Sequence, residues 1–246
     1  MEKYIDKIER LIFFLNNPSL SRWRKYEFDY KKYLQFKQKW FADFRFDTIL
    51  DIGANTGQSA IVFALAFPEA KIHSFEPLPD CYVQLEKVTE LFPTITAHNY
   101  ALGDDVGEIS FERNEYSPSS SLLKIAENHV KHFSNTKSVQ TTQVPVVKLD
   151  EYAKNLDIKD NFLVKLDVQG YESKVIAGAE KTLKKAKVII LETSFEILYE
   201  DQPLFGDIYN KMVKLGFQYS GSFDQLISPI NDKIVQQDAI FINTSL

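Results

Sequence analysis

The chain is poor in the features that mark several classes of protein. It has one cysteine, Cys81, in 246 residues, so no disulfide framework can form within it, which fits a reducing compartment. No window approaches the ~20 apolar residues of a membrane-spanning helix. The opening stretch, MEKYIDKIER, is charged throughout and lacks the apolar core of a secretory signal. The 29 Lys and Arg do not outnumber the 34 Asp and Glu, and the net charge of −5 gives no broad basic footprint for a nucleic acid. The four histidines, His73, His98, His129 and His132, share no zinc spacing with cysteine. There is no internal repeat and no low-complexity linker. Together these absences point to a soluble, cytoplasmic protein with no transmembrane segment and no nucleic-acid partner. Contact with a membrane surface and self-association into a homo-oligomer are left open.

What is present is a globular composition, with 44% hydrophobic residues. The length suits one sizeable domain, 47–246, with an appended segment, 1–46. In the segment, Ile5, Ile8, Leu11, Ile12 and Leu15 fall at helical spacing and Pro18 follows as a stop. An aromatic run comes next: Trp23, Tyr26, Phe28, Tyr30, Tyr33, Phe36, Trp40, Phe41, Phe44 and Phe46. Aromatics dominate buried contacts, so they are expected to dock the segment on the main domain, with a lid or acceptor wall as the alternative.

From Thr48 onward short apolar runs alternate with amphipathic stretches. Strands are expected at TILDIG, KIHSFE, TITAHNYAL, FLVKLDV and KVIILET, with helices over 57–67, 79–91, 172–184 and 205–215. EISFER, after the turn GDDVG, reads as a further strand in a hairpin, and TTQVPVVKLD as another extended piece. FQYSGSF and AIFINTS close the chain as an antiparallel pair. Strand–helix alternation of this kind predicts an α/β fold with a doubly wound, mostly parallel sheet. In such sheets ligands bind beyond the carboxyl ends of the strands.

The turn after the first strand, ILDIGANTGQSA, carries the first chemical signal. Gly53 and Gly57 allow a tight turn and a close backbone approach. The helix that follows points free amides at a ligand. The second strand ends in FEP, placing Glu76 19 residues after Gly57, where a carboxylate can accept from both ribose hydroxyls. Asn55 stands where a dinucleotide fingerprint has its second glycine. The pattern D-x-G-x-N-x-G suits a nucleoside ligand with no pyrophosphate, such as S-adenosyl-L-methionine. Asp51, at the strand end, can order the turn and face the ligand's ammonium, directly or through water. Thr56 and Pro77 belong to the same two strand ends.

LDIGANTGQ, FEP, NYALGD, SSSL, KLDVQGYE and LET occur in the order found in the FkbM family of S-adenosylmethionine-dependent methyltransferases, which the chain resembles from about Thr48 to Thr193. The resemblance implies a Rossmann-like class I methyltransferase domain behind an N-terminal helical extension that shows no family pattern. It implies an O-methyltransferase acting on a hydroxyl of a sugar, glycan or natural-product acceptor. It also makes Ser117–Leu123 a motif near the active site, against a plain exposed serine loop as the alternative. Asn99, Ala101 and Leu102, in NYALGD, are placed to border the adenine.

Methyl transfer to a hydroxyl requires alignment and a place for the hydroxyl proton. Asp167, at the end of FLVKLD, is a candidate base, metal ligand or contact to the cofactor amino group. Lys165, two residues earlier on the same side of the strand, could hold it ionised. Glu192 ends VIILE and should face the same crevice. Asp167 and Glu192 are the two carboxylates expected to do the chemistry. Glu172 opens a helix, where capping alone would explain it. Magnesium is the lesser expectation, because KLDVQG has no adjacent second acid. His73 reads as structural. His129 and His132 read as surface residues and are reserve candidates for the base. The rival readings are a nicotinamide-dependent oxidoreductase on a Rossmann-like fold, against which Asn55 argues, and a non-catalytic S-adenosylmethionine-binding protein.

Overall fold

The computed structural model describes residues 2–114 and 139–245. The chain enters through helix α1 (Glu2–Asn16), a 3-10 stretch (Pro18–Tyr26) and two short helices, α2 (Tyr30–Phe36) and α3 (Lys39–Ala42). Asp29 caps α2 by accepting from the backbone amides of Lys31 and Lys32. There follow β1 (Thr48–Ile52), α4 (Gln58–Ala66), β2 (Lys71–Phe75), α5 (Pro79–Thr89), β3 (Ile95–His98), β4 (Ala101–Leu102), β5 (Gly107–Asn114) and β6 (Val139–Val147). The second half runs α6 (Leu149–Tyr152), β7 (Phe162–Leu166), α7 (Glu172–Gly178), α8 (Glu180–Leu183), β8 (Val188–Ser194), α9 (Phe205–Lys214), β9 (Phe217–Ile227) and β10 (Ile234–Asn243).

Seven strands form the main sheet in the order β3-β2-β1-β7-β8-β10-β9. The first five are parallel, and β10 runs antiparallel to both β8 and β9. β1 and β7 are buried along their whole length, as continuous apolar runs require when both faces are covered. The chain leaves β1 toward one edge and returns at β7 toward the other. That reversal makes a switch point, and a crevice, above β1 and β7. The doubly wound, mostly parallel expectation therefore holds.

Each face of the sheet has its own core. On one, Ile49, Leu163, Val188 and Ile240 pack with α4 and with the N-terminal aromatics. Phe36 touches Phe41, Phe63, Phe67 and Phe223 at ring-centroid distances of 4.6–5.7 Å, and Trp23 stacks on Phe92 at 4.6 Å. The N-terminal segment thus shares a core with the sheet, as docking aromatics should. On the other face Leu50, Val164, Ile189 and Phe241 pack with α7 and α9.

Three local expectations need correction. TITAHNYAL is not one strand: it breaks at Asn99 and Tyr100, where the Asn99 amide donates to the carbonyls of Glu76 and Pro77. EISFER does not pair back on it. β6 lies between them, parallel to β4 and antiparallel to β5, in a separate three-stranded sheet. The helix expected over 172–184 is two, parted at Ala179. There Gly178 lies against the backbone carbonyl of Gly103, which leaves no space for a side chain.

Candidate active site

The crevice begins with the turn after β1. The amides of Gly53 and Ala54 both donate to the Phe75 carbonyl, at 3.0 and 2.9 Å, and tie the turn to the end of β2. Gly53 has φ +83°, and a Cβ there would run into the carbonyl of Asp167. Asn55 also sits in the left-handed region, at φ +49°, which asparagine tolerates better than most residues. Its backbone amide donates to Glu76 at 2.9 Å, and the other Glu76 oxygen accepts from the Leu78 amide at 2.9 Å. Burial pushes the Glu76 carboxyl up to about 7, against these two backbone donors.

A cavity of about 240 Å³ opens over this turn. Gly53, Asn55, Glu76, Pro77, Ala101, Leu102, Lys165 and Asp167, all expected from the sequence, line it. So do Tyr100, Phe111, Leu78 and the first residues of α4, Gln58 and Ser59, which the sequence reading missed. Others stand behind the wall. Asp51 is fully buried, accepts from the Ser74 hydroxyl at 3.2 Å, and does not line the cavity. Burial raises its carboxyl to about 6 although Lys165 lies near. Asp51 is thus held against β2 through Ser74, behind the cavity wall. Thr56, Gly57 and Asn99 also fall outside the lining. Gly57, at φ +94°, lets α4 start close to Leu85 and Val88 of α5.

Beyond Asp167 the site changes character. Lys165 and Ile190 are register partners, as are Ile190 and Ile240. Side chains repeat on one face every second residue. Asp167, Glu192 and Asp238 therefore line up one step further along three neighbouring strands. Asp224 on β9 is opposite Asp238 and extends the row to four carboxylates. Asp167, Glu192, Asp224 and Asp238, with Gln225, Gln236, Gln237 and Lys32, line a second, more polar cavity of about 170 Å³ that shares Asp167 with the first.

Two lysines and one glutamine organise the row. Lys165 Nζ lies 2.9 Å from Asp167 and is itself buried. Burial works to raise the Asp167 carboxyl, but the Lys165 ammonium and the Gln169 amide outweigh it and hold its pKa below the ordinary value. Lys32, from α2, pairs with Asp238 at 3.1 Å and with Asp224 at 3.6 Å. Its pKa is raised although burial opposes that, because Asp238, Asp167 and Asp224 surround it. Gln169 has φ +54° and points its amide between the two central acids, donating to Asp167 at 2.8 Å and to Glu192 at 3.0 Å. Tyr199 donates to the Gln169 carbonyl oxygen at 2.8 Å and fixes which way the amide faces. Burial, and then the charge of Asp167, push Glu192 well above an ordinary carboxylate. The pair is therefore split. Asp167 is held ionised and Glu192 is held ready to bind a proton.

Gln169 and Tyr199 are functional candidates the sequence reading did not single out. KLDVQGYE contains the first in plain sight, whereas nothing local marks Tyr199. Glu172 does not cap the helix it opens: it accepts from the amides of Val168 and Gly170 in the turn ahead of it, with burial raising it to about 7. His73 and His98 bond to each other at 3.1 Å, and His98 to the Tyr152 hydroxyl at 3.0 Å. Burial lowers both, His98 to about 4, which fits the structural reading of His73. His129, His132 and Ser117–Leu123 lie outside the described residues. Among the described residues no group of three or more His, Cys, Asp or Glu is arranged to hold a metal ion. No helix among them is long and apolar enough to cross a membrane.

A family model described as Methyltransferase FkbM domain matches residues 51–219. The 2-O-methyltransferase NoeI of Sinorhizobium fredii is 30% identical over 161 residues, covering 63% of this chain and 66% of that protein. The hexuronic acid methyltransferase AglP of Haloferax volcanii is 29% identical over 147 residues, covering 59% and 55%. The chain thus spans two thirds or less of the length of these curated relatives. Among solved structures, the methyltransferase FkbM of Methylobacillus flagellatus KT is similar with a TM-score of 0.51 at 12% identity, over 80% of this chain and 44% of that one. That likeness carries the fold alone, and it is the fold expected.

Proposed function

Because the chain belongs to the FkbM methyltransferase family, we propose that it transfers the methyl group of S-adenosyl-L-methionine to a hydroxyl of a saccharide. The observation that carries the reading is the junction at Asp167, where the cavity suited to the nucleoside meets the row of carboxylates. The first cavity fits the cofactor's parts. Glu76 keeps lone pairs for ribose hydroxyls, Tyr100, Leu102 and Phe111 offer apolar walls for adenine, and the start of α4 favours a carboxylate. Gly53, where any Cβ would close the turn onto Asp167, keeps that floor open.

When bound, the cofactor supplies a sulfonium methyl that is already electrophilic. The chain's part is to orient the acceptor and receive its proton. Carboxylates accept from sugar hydroxyls, and a row of four offers several such acceptors along one line. Asp167 stays charged and serves as an anchor. Glu192, whose affinity for a proton is raised by burial, takes the proton that the acceptor hydroxyl loses as its oxygen becomes an ether. Gln169 keeps the two acids apart and in place. Magnesium is not required by this scheme. The names of the relatives, a 2-O-methyltransferase and a hexuronic acid methyltransferase, support a sugar hydroxyl as the acceptor. The test is mass spectrometry of products from methyl-labelled cofactor and a panel of methyl glycosides, neutral and acidic, with and without a chelator. A labelled methyl ether on a sugar oxygen is the expected product. Methyl esters or N-methyl products would refute the hydroxyl assignment.

A further inference from the structure

Helix α1 turns its most regular apolar stripe away from the rest of the chain. Phe13 and Phe14 anchor it, with the Phe13 ring 5.0 Å from that of Tyr30, and Asp6 pairs with Lys31 at 2.6 Å. The opposite face carries Tyr4, Ile5, Ile8, Leu11, Ile12 and Leu15, all between 50% and 74% exposed. Monomeric proteins seldom leave so contiguous an apolar patch uncovered.

The spacing of that face has a specific form. Ile5, Ile8, Ile12 and Leu15 recur at intervals of 3, 4 and 3, the a and d positions of two heptads, with Tyr4 and Leu11 at g. Phe13 and Phe14 occupy b and c, so the face that docks on the body is opposite the face that forms the seam. We propose that this seam pairs with α1 of a second copy of the chain, as a parallel two-helix contact that makes the protein a dimer.

Three observations favour a second copy. Isoleucine at both a positions with Leu15 at d suits two strands, with Ile8 at the other d the one residue that leans toward a larger bundle. In a parallel pair the g and e positions meet, setting Tyr4 beside Glu9 and Leu11 beside Asn16 of the second copy, so no like charges face each other. An antiparallel pair would bring the glutamates at e together instead. Six large apolar side chains per copy, at roughly 100 Å² each, would withdraw about 1,200 Å² in total, the lower end for specific interfaces. A membrane surface is the less suited occupant. The helix carries Glu2, Asp6 and Glu9 against Lys3, Lys7 and Arg10, with none of the basic excess of interfacial helices.

Sedimentation velocity at tens of micromolar is the test, on the full chain and on the double variant Ile8→Glu, Ile12→Glu. The native protein should sediment with twice the chain mass. The variant should be monomeric, its self-association weakened about 100-fold or more, with unchanged circular dichroism and unchanged S-adenosylhomocysteine affinity. Orientation is read separately. Cys81 is buried, so Ile8→Cys should cross-link to itself under mild oxidation and Lys7→Cys should not. A monomeric native chain, a variant that still dimerises, or native protein that floats with neutral or anionic vesicles while the variant does not, would each overturn the proposal.

Discussion

In the proposed reading, the two sides of Asp167 recognise their ligands by different means. On the cofactor side the chain bends its backbone around a space. Glycines approach closely, Asn55 takes a left-handed turn, and Glu76 is tied down by two backbone amides. On the acceptor side the work is done by side chains. Four carboxylates, from β8, β9, β10 and the residue just past β7, stand in a row, held by Lys165, Lys32 and the Gln169 amide. A backbone cradle fixes the shape of one ligand. A row of side chains on a common sheet can be altered one residue at a time, so acceptor choice can change while the cofactor cradle does not.

The largest expected effect lies on the acceptor side. Glu192→Gln keeps the shape and the hydrogen bond to Gln169 but removes the proton acceptor. Single-turnover methyl transfer should fall by about 10²–10⁴-fold, while calorimetry should show S-adenosylhomocysteine affinity nearly unchanged. Equal losses in both would move Glu192 to the cofactor side.

Next comes the cradle itself. Gly53→Ala places a Cβ against the Asp167 carbonyl at a φ of +83°. Urea denaturation should show a loss of about 2–4 kcal/mol, and the cofactor should bind poorly to whatever folds. Native stability and affinity in this variant would mean that the floor can shift, and that the cradle is not rigid.

A smaller effect is expected of Glu76→Ala, which should weaken S-adenosylhomocysteine by roughly 1.5–3 kcal/mol and leave the rate from saturated enzyme little changed. An unaltered dissociation constant in a folded variant would remove Glu76 from the site.

The smallest effect belongs to Lys32→Met. Without that ammonium the Asp238 charge is uncompensated, and Asp238 is one of the charges that raise Glu192. The pH midpoint for methyl transfer should rise, with cofactor affinity unaffected. A midpoint that falls would show that Lys32 does not act through Asp238.

The same contrast explains what could be read from the sequence. The β1 turn, Glu76 and the Lys165–Asp167 pair were legible because each is local: a strand end, a glycine turn, and two residues two apart. Asp167 and Glu192 were found together because both end apolar runs. Lys32, Asp224 and Asp238 were not found. They meet only because α2 packs on β9, where Gln35 donates to the Phe223 carbonyl at 2.7 Å, and because β10 inserts between β8 and β9. Tyr199 escaped for the same reason. The burial of Asp51 could not be read locally, because a strand-end acid reads alike whether it faces the crevice or the core. The break at Gly178 and the insertion of β6 between β4 and β5 were likewise matters of tertiary contact, beyond any local pattern.

The division of labour between Asp167 and Glu192 is tested most directly by the pH dependence of single-turnover methyl transfer, using a methyl glycoside that yields product. Glu192 is raised well above 4.5 by burial and by its acidic neighbours, so it is protonated and inactive at low pH. The rate should therefore rise with pH through a midpoint well above 4.5, and the residual rate of Glu192→Gln should show no such rise. The same midpoint persisting in Glu192→Gln would contradict the account and place the proton acceptor elsewhere.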